Sequence, residues 1–452
     1  MKKEKGKKTL PWYFIPAWST DSISQSLSFI VLAYLTYYCT NVVGLPATVV
    51  GTMLLVAKLT DGVTDLIASI VIERTNTRWG KGRPYALMMP IAWIFIIFMF
   101  STPNISQMWQ VFYIFVCYFM INSVCITLIY AAEPVYLARS LKNPEDATTV
   151  YSMTQMIMRI PGAVLTIVFP LIISKIGVDP HSWTLVVLAL GVPCCLLSPI
   201  RFAFIKERDD IPATSTADGH HFGFGDILRI LAGNVHIIVL ALIQLLANIF
   251  SGVTMAVATY YFQYIMGDIK IQSTVSIVTT FSSLVLLAIP ALVKRTSVRK
   301  VMILGMLFGV IGNVMKVIPN IYVLMVANFL TALASLPTTA LLPTLFLECM
   351  DYHEWKTGGR VEAIFGSMNA LGMKLGSGIA SVLVGFVMGL TGFSGVLETQ
   401  SARAQQGIIM LYSWIPALLF VVMLFLFRAY KIDREMPKIR AELEQRRAAN
   451  RQ

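Results

Sequence analysis

The chain has 452 residues, of which 56% are hydrophobic and only 13% charged, against about 25% charged residues in an ordinary soluble domain. With a mean hydropathy of +0.70, this composition excludes a soluble globular protein and points to a chain that crosses a membrane many times. The net charge of +12 suggests nucleic acid only if the basic residues are pooled. They concentrate instead in alternate connections, the signature of membrane topology.

The first ten residues, MKKEKGKKTL, are basic and run into a long apolar stretch with no small-residue cleavage site. They are expected to form a cytoplasmic terminus rather than a signal peptide. A helical span needs about 20 apolar residues. Such runs occur at roughly 13–39, 47–72, 84–102, 109–137, 149–174, 182–205, 235–265, 271–293, 300–318, 321–347, 363–391 and 406–430, which predicts twelve spans. Basic residues precede the first span (Lys2, Lys3, Lys5, Lys7, Lys8) and follow the second (Arg74, Arg78, Lys81, Arg83) and fourth (Arg139, Lys142). Others surround the central connection (Arg201, Lys206, Arg208, Arg229) or follow the eighth (Lys294, Arg295, Arg299, Lys300) and tenth (Lys356, Arg360), and more lie from Arg428 onward. The opposite loops hold little beyond Lys175, Lys270 and Arg403. Both termini are therefore expected on the cytoplasmic side.

The longest polar interruption, 206–229, divides the spans six and six and has the Pro, Gly, Ser and Thr content of a linker. The stretch FGDILRIL within it has the pattern of a short interfacial helix. The expected organisation is an N-terminal six-helix bundle over 1–205, a cytoplasmic linker over 206–233, a C-terminal six-helix bundle over 234–430 and a charged tail over 431–452. That tail is expected to be a solvated helix near anionic headgroups. The fold class is an all-α membrane protein whose two halves are related by a pseudo-two-fold axis along the membrane normal, the major facilitator architecture. The six cysteines have the spacing of neither a metal site nor a disulfide framework, and packing roles are expected for them.

Ionisable residues inside spans are costly, so they mark candidate sites. In VAKLTDGVTDLIASIV of the second span, Lys58, Asp61 and Asp65 stand at i, i+3 and i+7 and share one helix face. Two carboxylates one turn apart repel unless a cation, a proton or a basic partner sits between them. Lys58 is one local partner. Lys374, in the eleventh span, lies too deep to reach the interface comfortably and sits among Gly372, Gly376, Ser377 and Gly378, which permit close helix approach. Helices 2 and 11 of such a bundle can meet across the halves, so Asp61, Asp65 and Lys374 are expected to form a cluster able to exchange Lys374 for a coupling cation, Na⁺ or H⁺. The competing reading is a buried ion network that only ties helices together.

Polar residues at similar depth are Asp21 and Gln25 in the first span, Asn122 in the fourth, Gln155 and Arg159 in the fifth, Gln244 and Asn248 in the seventh, Thr338 and Thr339 in the tenth and Asn369 in the eleventh. Spread over both halves, they are candidates to hydrogen-bond a polyhydroxylated solute, although each alone is more often a helix–helix hydrogen bond. Glu133 lies near the end of the fourth span, and Tyr34, Tyr37, Tyr38, Tyr260 and Tyr261 are expected in interfacial belts. There is no Walker loop, G-x-S-x-G or H-E-x-x-H, and the five histidines are scattered. Catalysis and resident cofactors are not expected.

Two stretches resemble the glycoside–pentoside–hexuronide:cation symporters, the family of melibiose permease-like proteins. One is YLTYYCTNVVGLPATVVGTMLLVAKLTDGVTDLIASIVIERTNTRWGKGRPY, Tyr34 to Tyr85, and the other MDYHEWKTGGRVEAIFGSMNALGMKLGSGIA, Met350 to Ala380. The resemblance implies that Asp61 and Asp65 bind the cation and that Lys374 is the family's helix 11 lysine. It implies that Arg78, Lys81 and Arg83 form a basic cytoplasmic loop, with Asp351, Tyr352, Glu354, Lys356, Arg360 and Glu362 in a gating loop that closes by charge pairing. The sugar-side positions differ: Gln25 stands where the melibiose permease pattern has an acid, with Asp21 one turn earlier. The helix 4 aspartate falls near Ala132 or Glu133, Gln155 replaces an arginine with Arg159 one turn on, and Thr339 replaces a tryptophan. The expected function is cation-coupled symport of a sugar or glycoside (disaccharide, pentoside or hexuronide) by alternating access, with the lipid bilayer and no nucleic acid as partner. An exporter or uniporter of a non-sugar solute and a non-transporting membrane sensor are the rival readings.

Overall fold

A computed structural model describes residues 10–141, 146–207, 235–282, 285, 288–357, 362–397, 399–430, 436, 439 and 442. Among the described residues there is no strand, only an isolated bridge between Thr77 and Gly80. In the N-terminal half the helices are α1 (Phe14–Ala33), α2 (Ala47–Arg74), α3 (Met88–Met99), α4 (Gln107–Ser140), α5 (Asp146–Ile176) and α6 (Pro180–Phe204). In the C-terminal half they are α7 (Val235–Tyr264), α8 (Lys270–Ser282), α9 (Val298–Met315), α10 (Ile321–Thr357), α11 (Glu362–Leu390) and α12 (Ala402–Arg428), with a short helix, Ile289–Arg295, before α9. By length and composition, eight of the described helices suffice to cross a membrane, and Ala47–Lys58 and Arg83–Met99 add shorter apolar helices.

The chain forms two compact units, one of Met1–Ala217 with Ser394–Glu398, the other of Asp218–Phe393 with Thr399–Gln452. In the first, α1 packs on α5 and α6, and α3 on α4 and α6. Two small polar residues of α1 are bonded inside the unit. Ser24 Oγ accepts from the Trp93 indole at 2.8 Å, and Ser19 Oγ donates to the Ile15 carbonyl at 2.8 Å. A π turn at Met120–Ile126 interrupts α4, and another at Met410–Trp414 interrupts α12. Such turns free backbone groups and re-aim side chains, and they recur at functional sites.

In the second unit α9 packs on α10 and α12, while α7 packs on α11 and α12. Close approach of α7 and α11 rests on glycine. A Cβ on Gly376 would stand 2.5 Å from Asn248 Cβ, and one on Gly252 would stand 2.7 Å from Ala380 Cβ. This is the small-residue crossing that membrane helices use when the lipid gives no hydrophobic drive to association.

Two expectations are corrected here. The tyrosines assigned to interfacial belts are interior: Tyr34, Tyr37, Tyr38, Tyr260 and Tyr261 are all buried. Tyr38 ring-packs with Phe100 and Trp183 and donates its hydroxyl to the Phe100 carbonyl, so its polar tip is satisfied within the protein. The tail is not simply solvated. Met436 and Ile439, three residues apart on one helix face, are buried in the core that includes Leu345, Cys349 and Phe427, and the Trp355 indole donates to Glu442 Oε2 at 2.6 Å. The central linker, from 208 to 234, lies outside the described residues.

Candidate functional site

Alpha-2 is a single 28-residue helix without proline, so it keeps Lys58, Asp61 and Asp65 in one register. Lys58 is half-buried, with Nζ 5.6 Å from the centre of the Tyr118 ring on α4, an arrangement that offers the ammonium a π face as well as any carboxylate. Thr64 on the same helix is also half-buried. The backbone of Asp61 and Asp65 is helical, and their side chains lie outside the described residues.

On the second unit Lys374 is half-buried on α11. Its carbonyl accepts from Ser377 Oγ at 3.0 Å. Gln244 and Asn248 of α7 stand against the neighbouring glycines: Gly372 would meet Gln244 Cγ at 3.5 Å and Gly376 would meet Asn248 Cβ. Asn248 Nδ2 donates to the Gln244 carbonyl at 2.8 Å, which occupies one of its two N–H bonds. The structure thus brings three of the sequence candidates, Gln244, Asn248 and Lys374, to one helix crossing.

The densest polar site lies wholly within the first unit. Arg201 of α6 is 2% exposed and donates through Nη1 to Asp21 Oδ2 of α1 at 3.1 Å. Its Nη2 stands 3.5 Å from Glu133 Oε1 of α4. The guanidinium lies 3.4 Å from the centre of the Trp18 ring and 5.1 Å from that of Tyr136, whose hydroxyl donates to the Ile205 carbonyl at 2.7 Å. A cavity of about 10 Å³ is lined by Asp21, Glu133, Arg201, Tyr85 and Tyr136. Asp21 and Glu133 were legible in the sequence as polar residues near spans; Arg201 was read there only as a marker of topology.

Other candidates are dispersed. Asn122 is buried within the π turn, its amide donating to the Tyr118 carbonyl at 3.3 Å. Gln155 and Arg159 are exposed on α5, and Thr339 is exposed on α10, bonded to the Ser335 carbonyl. The side chain of Asn369 lies outside the described residues. Gln25 is half-buried, and its Nε2 is buried with no partner among the described residues.

The basic loop after α2 is organised by a residue that the sequence reading passed over as part of a charged linker. Glu207 accepts from the backbone N–H groups of Lys81, Gly82 and Arg83 at 2.9, 2.7 and 2.6 Å and pairs with Arg139 at 3.0 Å. Three converging N–H donors form a nest that favours an anion. Arg83 Nε donates to the Phe202 carbonyl and Arg78 stacks on Trp79, so these two bases are fixed by their own unit. The stretch expected as a gating loop is helical where it is described: Asp351 and Tyr352 belong to the last turns of α10 and Glu362 opens α11. Asp351 and Tyr352 are half-buried, and Tyr352 meets the His236 ring edge-on at 5.7 Å. Arg360 and the side chains of Glu354, Lys356 and Glu362 lie outside the described residues.

A further lysine escaped the sequence reading. Lys316, just past α9, is fully buried, with Nζ 2.9 Å from Asn313 Oδ1 and 4.8 Å from the centre of the Tyr412 ring. The Tyr261 hydroxyl donates to its carbonyl at 2.7 Å. It makes no ion pair among the described residues and ties α7, α9 and α12 together.

Comparison with known proteins gives this arrangement its class. A family model described as MFS/sugar transport protein matches residues 22–434. The chain is 28% identical over 457 residues to an isoprimeverose transporter of Lactiplantibacillus pentosus, covering 98% of this chain and 93% of that one. It is 25% identical to a putative glycoside/cation symporter, YagG, of Escherichia coli K12, covering 92% and 91% of the two chains. Among solved structures, a bacterial homologue of the lysosomal transporter Spinster superposes with a TM-score of 0.66 at 12% identity, over 96% of this chain and 99% of that one. That likeness establishes the transporter fold alone. The match over nearly the whole membrane region makes the chain a member of the MFS/sugar transport protein family, a multi-pass membrane transporter and not an enzyme.

Proposed function

We propose that the chain is a secondary active symporter that couples Na⁺ or H⁺ to the movement of a sugar or glycoside by alternating access. The observation that carries the reading is the aspartate pair Asp61 and Asp65 on one face of α2 in a chain of the sugar transport family. Relatives named for isoprimeverose, glycoside/cation and glucuronide transport support the solute class. In this reading twelve helices span the bilayer as two six-helix halves, and both termini are cytoplasmic. Asp61 and Asp65 hold the cation, Lys374 offsets their charge when the site is empty, and Lys58 shares its charge with Tyr118. The bound cation takes the place of Lys374 as partner of the two carboxylates, so they cross the closed state compensated and ion and solute move together.

The solute is held by hydrogen bonds from Gln25, Asn122, Gln155 and Arg159 of the N-terminal half and Gln244, Asn248, Thr339 and Asn369 of the C-terminal half; Asp21, buried against Arg201, takes no direct part. Gln25 supports this assignment, because a buried amide donor without an acceptor costs about 1–3 kcal/mol, a cost that a sugar hydroxyl would offset. Uptake into proteoliposomes by a panel of isoprimeverose, glucuronides and other glycosides, with Na⁺ and pH varied independently, tests the reading. One class of sugar should accumulate and require one of the two ions. Transport of none, or transport indifferent to both ions, contradicts it.

A further inference from the structure

The Asp21–Arg201–Glu133 cluster holds more acid than base. Two carboxylates, Asp21 Oδ2 at 3.1 Å and Glu133 Oε1 at 3.5 Å, share a single guanidinium. If both are ionised, a region from which water is largely excluded retains one uncompensated negative charge, which costs far more than a neutral pair. Arg83, the next base, is turned to the Phe202 carbonyl and ring and makes no ion pair with either carboxylate among the described residues. Arg139 is engaged by Glu207. Among the described residues, the other titratable groups that face the pair are phenols: Tyr85 of the turn before α3, Tyr130 and Tyr136 of α4, and Tyr151 of α5.

An independent observation points to a missing ligand. Asp21 is 2% exposed, lines the cavity, and its Oδ1 has no hydrogen-bond partner among the described residues; Arg201 Nε, equally buried, has none among them either. A cavity of about 10 Å³ is at the lower limit for one water molecule. Glu133, whose side chain is 19% exposed, supplies the open side of the cluster, while Asp21 is its closed end. The Trp18 ring, 3.4 Å from the guanidinium, helps hold Arg201 in place as the counter-ion of both carboxylates.

We propose that Asp21 and Glu133 form a proton-binding site in the N-terminal unit, separate from the aspartates of α2, with one exchangeable proton shared by the two carboxylates and Arg201 as fixed counter-ion. The proton enters from hydronium at Glu133, releasing water, and passes to Asp21 through the single water that the cavity admits. Uptake leaves one carboxylate, one carboxylic acid and one guanidinium, which is neutral overall. The site does not depend on the transport reading, since it binds protons with no sugar present.

The test is an infrared pH titration of the purified full-length protein without sugar, following carboxylic-acid C=O absorption, with proton uptake measured in parallel. Above the titration that other carboxylates share in every form, the wild type should take up one further proton with its own C=O band. Asp21→Asn and Glu133→Gln should each abolish that band entirely, not halve it, because either variant leaves one acid matched to one base and ionised. Asp61→Asn/Asp65→Asn should retain it. A wild type whose C=O titration matches that of folded Asp21→Asn has an ion triad that only ties α1, α4 and α6, a result that overturns the proposal. Persistence of the band in folded Glu133→Gln overturns it equally.

Discussion

At the scale of single residues, the positions that matter most are those where a polar group is held inside by a few specific partners. Glu207 closes the nest over Lys81, Gly82 and Arg83 and neutralises Arg139. Glu207→Ala is expected to cost about 3 kcal/mol, since it leaves a partly buried arginine and three N–H groups without their acceptor. Glu207→Gln should recover part of this through its remaining acceptor oxygen. Thermal unfolding in detergent, compared across the two variants, measures the difference. Lys316 behaves oppositely. Its ammonium is buried with an amide oxygen and a ring face but no carboxylate among the described residues. Replacing a desolvated charge by an apolar side chain of similar length removes its burial cost. Lys316→Met should therefore be neutral or more stable, and a loss beyond about 1 kcal/mol would show that the ammonium binds a stronger partner than Asn313. Neither residue was legible as important in the sequence. Glu207 reads as one letter of a charged linker, and Arg201 and Lys316 read as basic residues near span ends. For Arg201 and Glu207 the partners are remote in the chain: Asp21 is 180 residues from Arg201 and Gly82 is 125 from Glu207, whereas Lys316 bonds Asn313 three residues away and is buried by distant helices. The available signal was position, since Arg201 stands within the apolar run LLSPIRFAF, where a charge needs a partner.

At the scale of elements, periodicity and glycine placement carried most of the information. The apolar runs predicted helices, and the described chain is helical throughout its apolar stretches. Gly376, expected to allow close approach, sits where α11 meets Asn248 of α7. Gly376→Val should force the helices apart and cost about 1–3 kcal/mol, as overpacking typically does, visible as a lower midpoint of thermal unfolding. The tail was less legible because its charge dominates its composition. Two apolar residues, Met436 and Ile439, suffice to dock it when the end of α10 offers Trp355 for Glu442. Trp355→Phe removes that charge-assisted bond and should cost about 1.5–3 kcal/mol, with protease cleavage of the tail accelerated. Unchanged cleavage would mean that the tail is held by its apolar contacts alone.

At the scale of the whole molecule, composition and charge distribution identify a polytopic membrane protein, and the family match makes it a sugar transporter. The proposed coupling rests on α2. In the proposed cycle the charge of Asp61 and Asp65 is what brings ion binding into transport, and an amide in place of either carboxylate keeps the side-chain volume while removing the charge. The most direct measurement is solute accumulation in proteoliposomes under an imposed Na⁺ or H⁺ gradient, comparing wild type with Asp61→Asn and Asp65→Asn. Wild type should concentrate its sugar above the equilibrium level only while the gradient lasts, and both variants should at most equilibrate it. Accumulation against the gradient by both variants would contradict the assignment of α2 as the coupling site.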